Sequence, residues 1–187
     1  RHRMAYAEWG DPANRRVLVC VHGLARQGRD FDTLARALSG HYRVVCPDVV
    51  GRGRSAWLPV KDDYQLPTYV ADMVTLIARL DVDSVHWVGT SMGGAIGMVC
   101  ADGLLRGRIR RLVLNDNGPQ LAEAAIERIR SYAGNPASFA TVSELEQYFR
   151  TVYKPYGWLS DAQWRRLTET SVRRLPDGRV TPHCDPA

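Results

Sequence analysis

Apolar residues follow two rhythms that alternate along the first two thirds of the chain. Val17-Leu18-Val19-Cys20-Val21 is a short unbroken apolar run ended by His22-Gly23, the pattern of a strand covered on both faces within a parallel sheet. Behind it Phe31, Leu34, Ala35 and Leu38 recur at helical spacing, with Asp30 placed to cap that helix and Gly40 to stop it. Tyr42 to Cys46 reads as the next strand, followed by the glycine-rich turn Val50-Gly51-Arg52-Gly53-Arg54-Ser55. Pro67 suits the first turn of a helix whose Val70, Met73, Val74, Ile77 and Leu80 share one stripe. A third strand is predicted from Val85 to Val88, a small-residue helix from Met92 to about Leu104, and a fourth strand from Arg111 to Asn115. Strands alternating with helices imply parallel crossovers and an α/β sheet.

Past Gly118-Pro119 the rhythm is helical only. Segments 121–133, 143–153 and 160–175 read as amphipathic helices with no strand between them. The expected division is therefore a sheet-based core over 1–118 and a helical lid, or cap, over 119–187. The lid region holds eight of the sixteen aromatics, among them Tyr132, Phe139, Tyr148, Trp158 and Trp164. Two readings of these rings stay open, the lining of an acyl pocket and the packing of the lid's own small core.

Composition narrows the class. With 45% hydrophobic and 24% charged residues the 187-residue chain has the balance of a globular protein. No run approaches the roughly 18 apolar residues of a membrane span, and Arg1-His2-Arg3-Met4 leads into no apolar signal segment. Cys20, Cys46, Cys100 and Cys184 are far apart, and three sit in apolar stretches, which suggests buried free thiols in a reducing compartment, the cytoplasm. The net charge of +5 raises the question of nucleic acid, but 23 of the 25 basic residues are Arg, scattered singly or in pairs. The one cluster, Arg106, Arg108, Arg110 and Arg111, leads into an apolar strand. No nucleic-acid partner is expected.

The chemistry centres on Gly89-Thr90-Ser91-Met92-Gly93-Gly94. A hydroxyl is a poor nucleophile near neutral pH and needs a base, donors for the oxyanion and a geometry that presents Oγ. Gly89-x-Ser91-x-Gly93 lies between an apolar strand and a helix, where small flanking residues let both backbones pass a strained turn. Ser91 is the predicted nucleophile. The amides of Leu24 and Met92 are the predicted oxyanion hole, the second aided by the positive end of its helix. His22 is then structural, shaping the loop before Leu24. The competing reading makes it the general base.

His22-Gly23, Pro47-Asp48-x-x-Gly51-Arg52-Gly53-Arg54-Ser55, the Ser91 motif and Leu114-Asn115-Asp116-x-Gly118-Pro119 occur in that order. In them the sequence resembles the α/β-hydrolase superfamily, more closely the bacterial esterase and enol-lactonase-like branch with a helical lid. The resemblance spans essentially all of the chain and implies the α/β-hydrolase fold, a mostly parallel sheet with flanking helices and an inserted lid. It also implies a serine acylated by ester, thioester or lactone substrates and freed by water. Asp48 and the turn from Gly51 to Ser55 recur in that family as scaffold, and no lysine follows the second glycine as a phosphate loop would require.

In that family the catalytic acid and histidine follow later strands, beyond the lid. After Ser91 the only histidine is His183, with no apolar strand read before it to hold it rigid. The acid and base are accordingly expected outside these residues, together with the last strands of the sheet. Asp116 is an outside candidate for the acid, and a solvated loop carboxylate is its plainer reading. No cofactor is expected, and no His, Cys or carboxylate cluster has zinc-ligand spacing.

The expected function is a cofactor-independent serine hydrolase of small carboxylic esters or lactones, with a small-molecule acyl substrate. The alternatives are carbon–carbon bond hydrolysis or cofactor-free perhydrolysis on the same fold, and a non-catalytic ligand binder. An unprotected strand at 111–115 would invite pairing with a second copy, so a homo-oligomer is a further expectation.

Overall fold

The structure is a computed structural model that describes residues 2–118, 127 and 137–185. It divides into two compact units, Arg1–Gln120 and Leu121–Ala187.

The first unit is built on five strands, β1 (Tyr6–Trp9), β2 (Val17–Val21), β3 (Arg43–Pro47), β4 (Val85–Thr90) and β5 (Ile109–Asn115), in the order β1-β3-β2-β4-β5. β1 runs antiparallel to β3 and the other pairings are parallel. The apolar run at 17–21 is buried at every position because both faces are covered. Val17, Val19 and Val21 join one core with Met73, Ile77, Trp87 and Ile96. Leu18 and Cys20 point the other way and pack with Phe31, Ala35, Val44 and Cys46. This two-fold alternation is what a strand sandwiched between helical layers must show.

Three helices complete the unit: α1 (Asp32–Leu38), α2 (Leu66–Arg79) and α3 (Met92–Asp102). Pro67 stands in the first turn of α2, whose buried stripe includes Val70, Met73 and Ile77. The start of α1 departs from expectation. A short 3-10 turn, Gly28–Phe31, precedes it, and its cap is Gln27, whose side chain accepts from the Arg29 amide at 3.4 Å. Asp30 instead forms a bidentate pair with Arg26 at 2.5 and 2.8 Å. The helix ends where expected, with last residue Leu38 and C-cap Ser39 just ahead of Gly40. β1 was not predicted, because its four residues show no unbroken apolar run. β5 is the last strand of the sheet among the described residues, with Val113 and Leu114 exposed.

In the second unit, α4 (Val142–Val152) is capped by Thr141, and α5 (Asp161–Ser171) starts with a reciprocal Ser160–Gln163 capping box. A 3-10 turn, Lys154–Tyr156, lies between them. The predicted helix over 160–175 stops early. Val172 turns to extended geometry, and β6 (Val172–Arg174) pairs antiparallel with β7 (Val180–Pro182) around the turn Pro176-Asp177-Gly178. Gly178 takes a φ of 87°, which a side chain would resist. The expectation of a strandless lid region is thus corrected to helices with a small β-ribbon. Leu145, Phe149, Tyr153, Trp164 and Val180 form its core, against which Phe139 and Tyr148 pack. Trp158 is 86% exposed. The predicted helix at 121–133 and Tyr132 lie outside the described residues.

Candidate active site

β4 ends at Thr90 and α3 begins at Met92, so the whole reversal falls on Ser91, with φ 49° and ψ −114°. A β-carbon makes that conformation costly, by about 1–3 kcal/mol. The surroundings compel it. A Cβ on Gly89 would collide with the Gly93 carbonyl, and one on Gly93 with the Val21 carbonyl at the end of β2. Trp87 Nε1 donates to the Gly93 carbonyl at 3.0 Å, pinning the first turn of α3 from below.

Both peptide groups of Ser91 are also held from the end of β5. Its N–H donates to the Asn115 carbonyl at 3.0 Å, and its carbonyl accepts from Asn117 Nδ2 at 2.6 Å as well as from the Gly94 and Ala95 amides. Asn117 escaped sequence reasoning, for it occupies a position the motif leaves unspecified.

The loop after β2 lies against this elbow: a Cβ placed on Gly23 would be 3.7 Å from Ser91 Cβ. His22 shapes that loop. It is buried, its Nδ1 donates to the Gly23 carbonyl at 2.7 Å, and its Nε2 accepts from the Val49 amide at 2.9 Å. Burial pushes its pKa down to about 4. With both ring nitrogens engaged inside the fold, His22 has none left to take a proton from Ser91, which removes the reading of it as general base.

Asp48 is the second internal tie. Its carboxylate accepts from the Gly28 and Arg54 amides, each at 2.8 Å, and its own carbonyl accepts from Ser55 Oγ at 2.5 Å. Asp116 sits exposed on the loop after β5 with φ 52°. His183 belongs to the second unit, where it directly follows β7, contrary to the expectation of no strand before it. Its N–H donates to the Ser171 carbonyl at 2.6 Å.

Cys20, Cys46 and Cys100 are buried free thiols, and Cys184 is partly exposed. A hydrogen bond with Cys20 and burial together push the Cys46 thiol far up. Among the described residues no group of three or more His, Cys, Asp or Glu could hold a metal ion. None of their helices is long and apolar enough to cross a membrane.

A serine on a strained strand-to-helix turn, with a His-Gly loop folded over it at the end of the neighbouring parallel strand, defines the α/β-hydrolase class. The family model described as alpha/beta hydrolase fold matches residues 16–182, and the chain belongs to that family. Over 172 residues it is 60% identical to a 3-hydroxybutyrate-oligomer hydrolase of Cupriavidus necator, covering 92% of this chain and 58% of that protein. A putative hydrolase from Rickettsia typhi superposes with a TM-score of 0.95 at 32% identity, over 99% of this chain and 65% of that one. An alpha/beta hydrolase from Novosphingobium aromaticivorans gives 0.89 and 31% over the same shares. The chain thus spans about three fifths of the length of these relatives.

Proposed function

We propose that this chain carries the nucleophile and oxyanion hole of a serine hydrolase for small carboxylic esters, with short oligoesters of 3-hydroxybutyrate as the first substrates to try. The observation that carries the reading is the elbow, where a non-glycine residue is forced to φ 49° at the N-terminus of α3 with the Gly23 loop packed on it. Such strain is retained where it presents a reacting atom. The substrate class rests on the C. necator relative, 60% identical to this chain over 172 residues.

In the proposed reaction, a general base takes the Ser91 hydroxyl proton as Oγ bonds to the ester carbonyl carbon. The carbonyl oxygen becomes an anion held by the amides of Leu24 and Met92, with the N-terminal dipole of α3 behind the latter. Collapse breaks the carbon–oxygen bond to the alcohol, which leaves with the proton returned by the base. Water, deprotonated by the same base, then attacks the acyl-enzyme and releases the acid. The base and its acid partner are proposed to come from parts of a longer protein, in keeping with the share of the relatives that this chain spans.

A fluorophosphonate probe on the intact protein tests the assignment. Ser91 should be labelled, and Ser91→Ala should abolish labelling together with hydrolysis of the 3-hydroxybutyrate dimer and trimer. An intact protein that never labels would refute the hydrolase reading. Labelling without oligoester hydrolysis would refute the substrate alone.

A further inference from the structure

The turn between β3 and α2 buries a guanidinium for which the reaction above has no use. Arg52 is 5% exposed, and no carboxylate pairs with it among the described residues. A buried cation without a counter-ion is expensive, so its remaining contacts have to compensate. Nη1 donates to the Val50 carbonyl at 2.7 Å and to the Tyr69 hydroxyl at 3.1 Å. The guanidinium also lies over the rings of Tyr64 and Tyr69, 5.5 and 5.4 Å from their centroids. These partners all belong to the same turn or to the segment leading into and along α2. The exception is the bond from Nε to the Leu24 carbonyl at 2.9 Å, which reaches back 28 residues.

Leu24 lies between two peptide groups, and both are gripped by their oxygens. The Gly23 carbonyl, which shares a peptide plane with the Leu24 N–H, accepts from His22 Nδ1 at 2.7 Å and from the Arg26 amide at 3.1 Å. The Leu24 carbonyl accepts from Arg52, a charged donor and hence a strong one. The grip on the Gly23 carbonyl orients the plane that carries the Leu24 N–H, and the grip of Arg52 on the Leu24 carbonyl holds the next plane, so the Leu24 Cα between them is tied to the fold from both sides.

We propose that Arg52 is a positioning residue of the oxyanion loop: by anchoring the Leu24 carbonyl it keeps the Leu24 Cα, and with it the peptide that carries the Leu24 N–H, in place against the developing oxyanion. The proposal rests on the assignment of Leu24 and Ser91 above. Arg52 touches no reacting atom, and it acts on the transition state far more than on the bound ester.

The test uses the intact protein, with rates counted per active site titrated by the fluorophosphonate. Arg52→Met should lower kcat by about 10- to 100-fold, less than the loss of a whole oxyanion donor, with KM held within about twofold. The fluorophosphonate also develops charge on oxygen during attack, so its labelling rate should fall in parallel. Arg52→Lys keeps the charge without the planar fork and should land between. Tyr69→Phe removes one Nη1 partner and should cost a few-fold in kcat. Wild-type kcat per titrated site in Arg52→Met, or a loss confined to KM, would overturn the proposal. Should Arg52→Met fail to fold, wild-type kcat in both Arg52→Lys and Tyr69→Phe does the same. Absence of labelling in the parent protein would instead condemn the hydrolase reading itself.

Discussion

Acid should loosen the first unit through His22 in a pH window fixed by its burial. In the folded chain the imidazole stays neutral down to about pH 4, whereas an unfolded chain binds that proton near 6.5. Between those values the unfolded state holds more protons, so acidification favours unfolding. The contribution of this one group is complete above pH 6.5 and is lost progressively as pH falls through 4. Desolvation is the leading cause, and protonated Nε2 could no longer accept from the Val49 amide. Linkage over the two pKa values gives a loss of about 2 kcal/mol between pH 7.5 and 5, rising to about 3 kcal/mol at pH 4. Carboxylates titrate in the same range, so the informative quantity is a difference. Urea unfolding of the parent and of His22→Asn, which keeps a donor near the Gly23 carbonyl but does not titrate, should be compared at pH 7.5 and 5. The parent should lose about 2 kcal/mol more than the variant. Equal losses would refute the neutral, doubly bonded imidazole.

Two further substitutions probe packing in the separate units. Gly93→Ala drives a methyl group into the Val21 carbonyl and should destabilise by about 3 kcal/mol, read as a lower urea midpoint, with fluorophosphonate labelling slowed in the protein that remains folded. In the second unit, Phe149→Ala empties the centre of the core formed with Leu145, Tyr153 and Trp164 and should cost about 3–5 kcal/mol. Proteolysis should cut residues 137–185 of that variant well before residues 2–118, and an unchanged digestion pattern would speak against an independent core there.

What was legible in the sequence depended on how far apart the cooperating residues lie. The strand at 17–21 declared itself by an unbroken apolar run, and the elbow by glycines two residues either side of Ser91, because in both cases the physical requirement is local. β1 was missed because Tyr6, Ala7, Glu8 and Trp9 form a short edge strand whose partner, β3, lies more than thirty residues away. The ribbon at 172–182 was masked by a helical spacing that runs on through Leu167 and Leu175, until pairing of Val172 with Pro182 decided otherwise. Gln27 caps the 3-10 turn that precedes α1, α1 itself follows Phe31 without a side-chain cap, and Arg26 claims the Asp30 carboxylate expected to cap it, a competition that spacing does not resolve. Asn117 on the Ser91 carbonyl and Arg52 on the Leu24 carbonyl are contacts between loops, and no periodicity announces them.

The elbow is built wholly from groups other than the hydroxyl it presents. Gly89, Gly93, Trp87, Asn115 and Asn117 set the backbone of residue 91, and none of them requires an oxygen at its tip. The socket and the tool it holds are therefore separable. On the proposed role, a substitution at residue 91 should erase or exchange the chemistry while the sheet stays intact, and glycine there would relieve the very conformation that a side chain resists. On the role proposed for Ser91, reactivity at this position works against stability, and the fold bears that tension in a single residue.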